Sequence, residues 1–154
     1  MQKSDQNPNT TPLADAAENL FNYAIERDDL KQMVANLPDD KNINKVTVEY
    51  ELQLLKIISV GWGIPFFMAA QPLKDKLAEA FWNNIQALSQ SISNSTSASV
   101  GKDVDYFGII KERLDIYVNA LQHYAAAPDS AKVIGVSFAN LCGDVANTFV
   151  TLAG

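Results

Sequence analysis

The single histidine of the chain stands in a row of polar residues at helical spacing. Asp115, Asn119 and His123 are four residues apart, so a helix would place all three on one face. A carboxylate on that face could orient the imidazole for proton transfer, or the imidazole could ligate a haem iron. A solvated helix side has the same spacing, and we favour that interpretation.

The single cysteine, Cys142, lies between Leu141 and Gly143 in apolar sequence. Buried thiols in such surroundings are usually inert, and the alternative is a nucleophilic dyad of Cys142 and His123. One cysteine and one histidine are too few for the ordinary zinc sites built from these residue types. We therefore expect no metal site and no cofactor.

Acidic residues occur in pairs on two predicted helices. Glu49 and Glu51 belong to one helix, and Glu112 and Asp115 belong to another. If the two helices pack together, paired carboxylates could do acid–base chemistry or hold a cation. We interpret them as exposed charges, and the sequence leaves open whether they converge with His123.

The residues best suited to binding are aromatic, and most of them lie in or near an uncharged segment. They are Tyr50, Trp62, Phe66, Phe67 and Trp82. Residues 57–70 carry no charge and would form about 21 Å of helix, too short to cross a hydrocarbon core of about 30 Å. Trp and Tyr are enriched at binding hot spots, and adjacent Phe residues point to different sides of a chain. The set therefore forms either core or an apolar docking surface or pocket.

Composition and charge exclude several classes of function. Eighteen acidic and twelve basic residues give a net charge of −6, and the basic residues form no stripe. Nucleic-acid binding depends on phosphate neutralisation, so this balance argues against nucleic acid and against an anionic membrane. No phosphate-binding glycine loop, dinucleotide fingerprint or nucleophile elbow is present. Without a signal peptide or a long apolar run, we expect a soluble, cytoplasmic protein.

Apolar periodicity predicts an all-α fold, a compact bundle of four to five helices. Residues 1–10 read as a disordered leader and 11–154 as a single domain. We predict helices over 11–36, 46–64, 72–92, from Asp103 to the residues before Pro128, and from Ser130 to about Ala153. The serine-rich stretch 93–102 is predicted to be a linker. The last helix is apolar on nearly every side and is expected to be central.

Two local predictions concern the second helix. Apolar residues alternate from Val46 to Leu54, which also fits a short strand, but no comparable partner strand occurs. Gly61, Gly63 and Pro65 all weaken a helix, so we expect a kink near Pro65. Close packing against a neighbouring helix is one reason for such glycines, and a bend that shapes a ligand cleft is the other.

These residues favour a non-catalytic binding or regulatory protein, such as an acidic adaptor or inhibitor, that self-associates or binds a protein partner. The alternative is a bundle that holds a small apolar ligand, or an unrecognised enzyme, with a pocket near Trp62 and Trp82. A co-purified small molecule would distinguish the second class from the first.

Overall fold

The computed structural model describes residues 11–101, 103–123 and 130–142, and all regular secondary structure in these ranges is helical. This confirms the predicted all-α class. The helices are α1 (Pro12–Ile25), α2 (Asp28–Ala35), α3 (Lys45–Phe67), α4 (Lys74–Val100), α5 (Tyr106–His123) and α6 (Ser130–Leu141). The predicted leader and the end of the predicted last helix lie outside the described residues.

The chain divides into two units, each compact in itself, and the boundaries between them fall between α1 and α2, inside α3 and inside α5. One unit comprises residues up to 25 together with 59–107, and in it α1 packs along α4. Its buried side chains include Ala17, Ala24, Ile64, Leu77, Phe81 and Ile85. The other unit comprises residues 26–58 and those from 108 onward. Its buried side chains include Leu30, Val34, Leu54, Ile57, Ile58, Ile110, Tyr117 and Phe138.

Residues 46–54 belong to helix α3, so the strand alternative is wrong for this segment. The buried residues recur at helical spacing, as Val48, Glu51, Leu54 and Ile58 show. Val46, which began the alternating pattern, is 79% exposed. Alternation alone cannot build a strand without a partner for its backbone groups, whereas a helix satisfies those groups internally.

Near Pro65, where we expected a kink, the helix is not interrupted. Helix α3 continues through Pro65 to Phe67, and the Met68 amide donates to the Ile64 carbonyl at 3.0 Å. A proline inside a helix removes one bond to the carbonyl four residues earlier, here that of Gly61, and its ring crowds the same carbonyl. Because Pro65 lies within the last turn, the disruption affects the end of the helix and not its middle.

The interruption lies earlier, inside the region 11–36 that was predicted to be one helix. The helical pattern stops after Ile25 and resumes at Asp28. Lys56 on α3 stabilises this break, since its Nζ donates to the Glu26 carbonyl at 3.0 Å and contacts the Asp29 carboxylate at 2.9 Å. A bond from α3 thus replaces part of the hydrogen bonding that a continuous helix would have used.

The serine-rich stretch 93–100 is helix and not the predicted linker. The Tyr106 amide donates to Ser93 Oγ at 3.1 Å, and Ser97 Oγ donates to Asp103 Oδ1 at 3.2 Å. These bonds engage hydroxyls that otherwise compete with the helical backbone. Helix α4 ends at Gly101, whose φ of 70° lies in the left-handed region that favours glycine.

The described part of α6 buries one side of the helix. Gly135, Phe138 and Ala139 are buried, whereas Val136 and Asn140 are exposed. The expected central position of this helix rested also on apolar residues after Cys142, and these lie outside the described residues.

Candidate functional site

Three of the four acidic residues singled out on α3 and α5, namely Glu49, Glu51 and Glu112, each lie against an arginine. Arg113 binds Glu51 in a two-pronged pair, with Nε to Oε2 at 3.0 Å and Nη2 to Oε1 at 3.0 Å. Arg113 Nη1 also lies 3.3 Å from the Glu112 carboxylate, and Glu49 pairs with Arg27 at 2.8 Å. These three carboxylates are therefore paired with cations, an arrangement that suits structure better than shared proton chemistry.

The Glu51–Arg113 pair lies in buried surroundings that shift neighbouring pKa values. The hydrogen bond to Glu51 raises the pKa of Arg113. Burial, together with the Glu51 charge, raises the pKa of Tyr50 and of Tyr117 and brings that of the Cys142 thiol to about 12. Since a nucleophilic cysteine needs a lowered pKa, this thiol is set up to remain protonated and inert.

The Tyr117 hydroxyl is the most unusual polar group in this region. Tyr117 is 1% exposed, and its hydroxyl has no hydrogen-bond partner in the part of the chain that the structure describes. Burying an unpaired hydroxyl costs roughly 1–3 kcal/mol. The interior around Glu51 therefore contains a buried hydroxyl that has no hydrogen-bond partner among the described residues.

The polar row on α5 is a solvated helix side. Asp115, Asn119 and His123 are all exposed. Across the described ranges, no group of three or more His, Cys, Asp or Glu residues is placed to hold a metal ion. The row thus lacks the buried surroundings that tune a general acid or base.

Gly61 allows α4 to approach α3 closely, as the close-packing interpretation predicted for this glycine, whereas a Cβ at Gly63 would meet only the Phe67 ring of its own helix. A Cβ at Gly61 would collide with the indole ring of Trp82, and it would lie 2.9 Å from Cε1 of Phe81. The Phe81 and Trp82 rings meet edge to face, with centroids 5.3 Å apart. Trp82 is therefore a packing residue of this unit and only half-exposed.

Three other aromatic residues form an exposed surface at the end of α3. Trp62 and Phe66 are one turn apart on the helix, and the Phe66 and Phe67 rings meet edge to face with centroids 5.1 Å apart. The exposed fractions are 40% for Trp62, 76% for Phe66 and 84% for Phe67. We call Trp62, Phe66 and Phe67 the aromatic patch. Leu73 lies in the connection that follows α3. Leu73 is 51% exposed.

The aromatic patch is both large and free of charge. From Ile57 to Leu73 no residue is charged, and the segment is bounded by Lys56 and Lys74. Since a large aromatic side chain covers about 150–250 Å² and the three exposed fractions amount to about two whole side chains, the patch exposes about 300–500 Å² of apolar surface. Patches of this size on a monomer are often functional.

Of the five residues predicted to bind, the structure brings Trp62, Phe66 and Phe67 together on the exposed patch. Trp82 lies in the same unit, against Gly61. Tyr50 belongs to the other unit, where it is half-buried and where the charges of Glu51 and Arg113 affect the pKa of its hydroxyl. Leu73, whose helical spacing with Leu77 and Phe81 predicted a core position in the helix 72–92, is exposed instead.

Two surface grooves are formed by described residues. One, of about 530 Å³, lies between α1 and α4, and the other, of about 490 Å³, is formed by residues 39–46. The first is lined by Ala14, Ala17, Glu18, Phe21, Asn22, Ala80, Asn84, Ala87, Leu88 and Ser91. Neither groove includes Trp62 or Trp82, so the predicted pocket beside these residues stays a prediction.

Comparison with known proteins adds no relative. No family model, no curated protein and no solved structure matches this chain. Within the described ranges, no helix has both the length and the apolar character needed to cross a bilayer.

Proposed function

We propose that this protein is a non-catalytic binding protein that docks through its aromatic patch onto an apolar surface of a protein. The observation that carries the proposal is the exposure of Phe66 and Phe67, at 76% and 84%, beside Trp62. Leaving this much aromatic surface in water forgoes hydrophobic stabilisation, at about 25 cal/mol for each Å². A bound partner would recover it.

The location of the patch suits binding. Trp62, Phe66 and Phe67 lie within helix α3, so their backbone is already ordered before a partner arrives. Less conformational entropy is then lost on association than when a loop must be ordered. Large aromatic side chains are also the residues most enriched at the energetic centres of interfaces.

The charge distribution supports a protein partner over a nucleic acid. The chain has a net charge of −6, and residues 57–73 contain no lysine or arginine that could contact a phosphate. Affinity for nucleic acid comes largely from such contacts. Binding to an apolar surface of a folded protein does not require contacts between basic residues and phosphates.

The groove between α1 and α4 supports a second candidate function, the holding of a small apolar ligand. Its volume of about 530 Å³ is within the range of small-molecule sites, and Phe21 and Leu88 supply apolar walls. Native mass spectrometry of the purified protein tests this candidate. A bound small molecule that is lost on Ala87→Trp would support it, and a spectrum of protein alone would refute it.

Site-directed photo-crosslinking tests the proposed docking. A benzophenone amino acid replaces Phe67 in one variant and Val46 in a control, since Val46 is apolar and 79% exposed. After irradiation in native cells, a discrete protein adduct at position 67 and none at position 46 is the expected result. Absence of any protein adduct at position 67 would refute the proposal.

A further inference from the structure

We propose that the partner of the aromatic patch is a second copy of this chain, bound through the same patch in a two-fold symmetric contact. This inference rests on the proposed function and identifies its partner. Three properties of the patch support it: its lack of charge on an acidic protein, the geometry of its rings, and its area.

Charge is the first argument. Two copies with a net charge of −6 repel each other, and a contact that buried acidic side chains against acidic side chains would add to the cost. The segment 57–73 carries no charge, so two copies that meet there bring no like charges into the contact. The same segment contains no carboxylate that would select a basic partner instead.

Ring geometry is the second argument. In a two-fold contact the same patch must supply both halves, so it has to be complementary to itself. An aromatic ring has a negative face and a positive edge, and rings prefer to meet edge to face. Phe66 and Phe67 already stand at 83° to each other, so the patch presents differently oriented rings to a second copy. A rotated copy can therefore place edges against faces.

Area is the third argument. The patch exposes about 300–500 Å² of apolar surface, so a symmetric pair would bury up to about 1,000 Å² of it in total. This value is at the lower limit for specific interfaces, which is typical of weak and reversible association. We therefore expect a monomer–dimer equilibrium that depends on protein concentration.

Sedimentation velocity of the purified full chain tests the inference. Between about 1 and 200 μM, the mass should rise from that of the 16.9 kDa chain towards twice that value. Raising NaCl from about 50 to 300 mM should strengthen association several-fold, because salt screens the repulsion between acidic copies. A monomer over the whole range, or association weakened by salt, would overturn it.

Charged variants test the symmetry of the contact. Phe67→Asp and Phe67→Lys should each be monomeric, and an equimolar mixture should recover a heterodimer, because opposite charges then face each other. Val46→Asp, which changes an apolar residue of similar exposure, should dimerise like the unmodified chain. Loss of dimer in Val46→Asp as well, or no recovery in the mixture, would refute a two-fold contact at Phe67.

The crosslinking experiment separates this inference from the proposed function. An adduct at position 67 with the mass of two chains supports both. An adduct with a different protein upholds the proposed function and overturns self-association. In a third outcome the chain forms no protein adduct, and as a monomer it floats with phosphatidylcholine vesicles in a way that depends on Phe67. That outcome refutes both proposals and identifies the patch as a lipid-contacting surface.

Discussion

Substitution of Gly61 by alanine tests the close approach of α3 and α4. The new methyl group would collide with the Trp82 indole, whose Cε2 atom lies 2.7 Å from its position, and with Phe81 Cε1 at 2.9 Å. Phe81 is fully buried, so its ring has little room to move. The structure therefore predicts an overpacked contact at this position.

The expected size of the effect follows from two opposing contributions. Overpacking of a buried contact costs about 1–3 kcal/mol. Alanine is a better helix former than glycine by about 1 kcal/mol, which offsets part of that cost. We expect Gly61→Ala to lower the free energy of unfolding by up to about 2 kcal/mol.

Gly63 provides a matched control two residues away on the same helix. A Cβ at Gly63 would lie 3.5 Å from the Phe67 ring, which is an ordinary contact. Here only the helix propensity changes, so Gly63→Ala should raise the free energy of unfolding by about 0.5–1 kcal/mol. The two variants should thus differ by about 2 kcal/mol, although both make the same chemical change.

Urea unfolding followed by far-ultraviolet circular dichroism measures both values. The slope of the transition should be the same for the two variants, so that midpoints compare stability directly. If Gly61→Ala is as stable as Gly63→Ala, then Trp82 does not lie against the α3 backbone as described, and the reasoning fails.

Three further predictions concern the polar interior around Glu51. Arg113→Met should lower the free energy of unfolding by about 2–3 kcal/mol, because it leaves the buried Glu51 carboxylate unpaired. Urea titration measures this loss, and the double variant with Glu51→Gln should recover part of it. Tyr117→Phe should leave stability unchanged or raise it by up to about 1 kcal/mol, since the lost hydroxyl has no partner among the described residues. A loss above that size would indicate a hydrogen bond. Cys142 should react slowly with iodoacetamide at pH 8, since burial raises the pKa of its thiol to about 12. Because the unfolded thiol ionises first, from its ordinary pKa of 9.0, the unmodified chain should lose stability as pH rises above 9, and Cys142→Ala should lose less.

Helical periodicity allowed much of the fold to be predicted. In α4 the apolar residues at steps of four, Leu77, Phe81 and Ile85, were expected to face the core, and all three are buried. The start of α1 was equally local, since Thr11 Oγ1 accepts from the Ala14 amide at 3.2 Å. Both features depend on residues within one or two turns, so the sequence contains the information that decides them.

The prediction of boundaries failed where distant residues took part. The break before α2 uses Lys56, and the helical state of the serine-rich stretch uses Asp103 and Tyr106. Glu51 was predicted to be an exposed charge, yet it is buried because Arg113, 62 positions away in sequence, binds it. No local pattern encodes such a pairing.

In the candidate site too, local features could be predicted from the sequence, and features that depend on distant residues could not. By itself, the sequence determined that the chain is helical and that an uncharged aromatic segment lies near its middle, because composition and periodicity are local properties. Only the tertiary structure decided that Trp82 packs against Gly61 while Phe66 and Phe67 face water. Which apolar surfaces the hydrophobic effect buries depends on how all the helices pack, so a local stretch of sequence does not decide it.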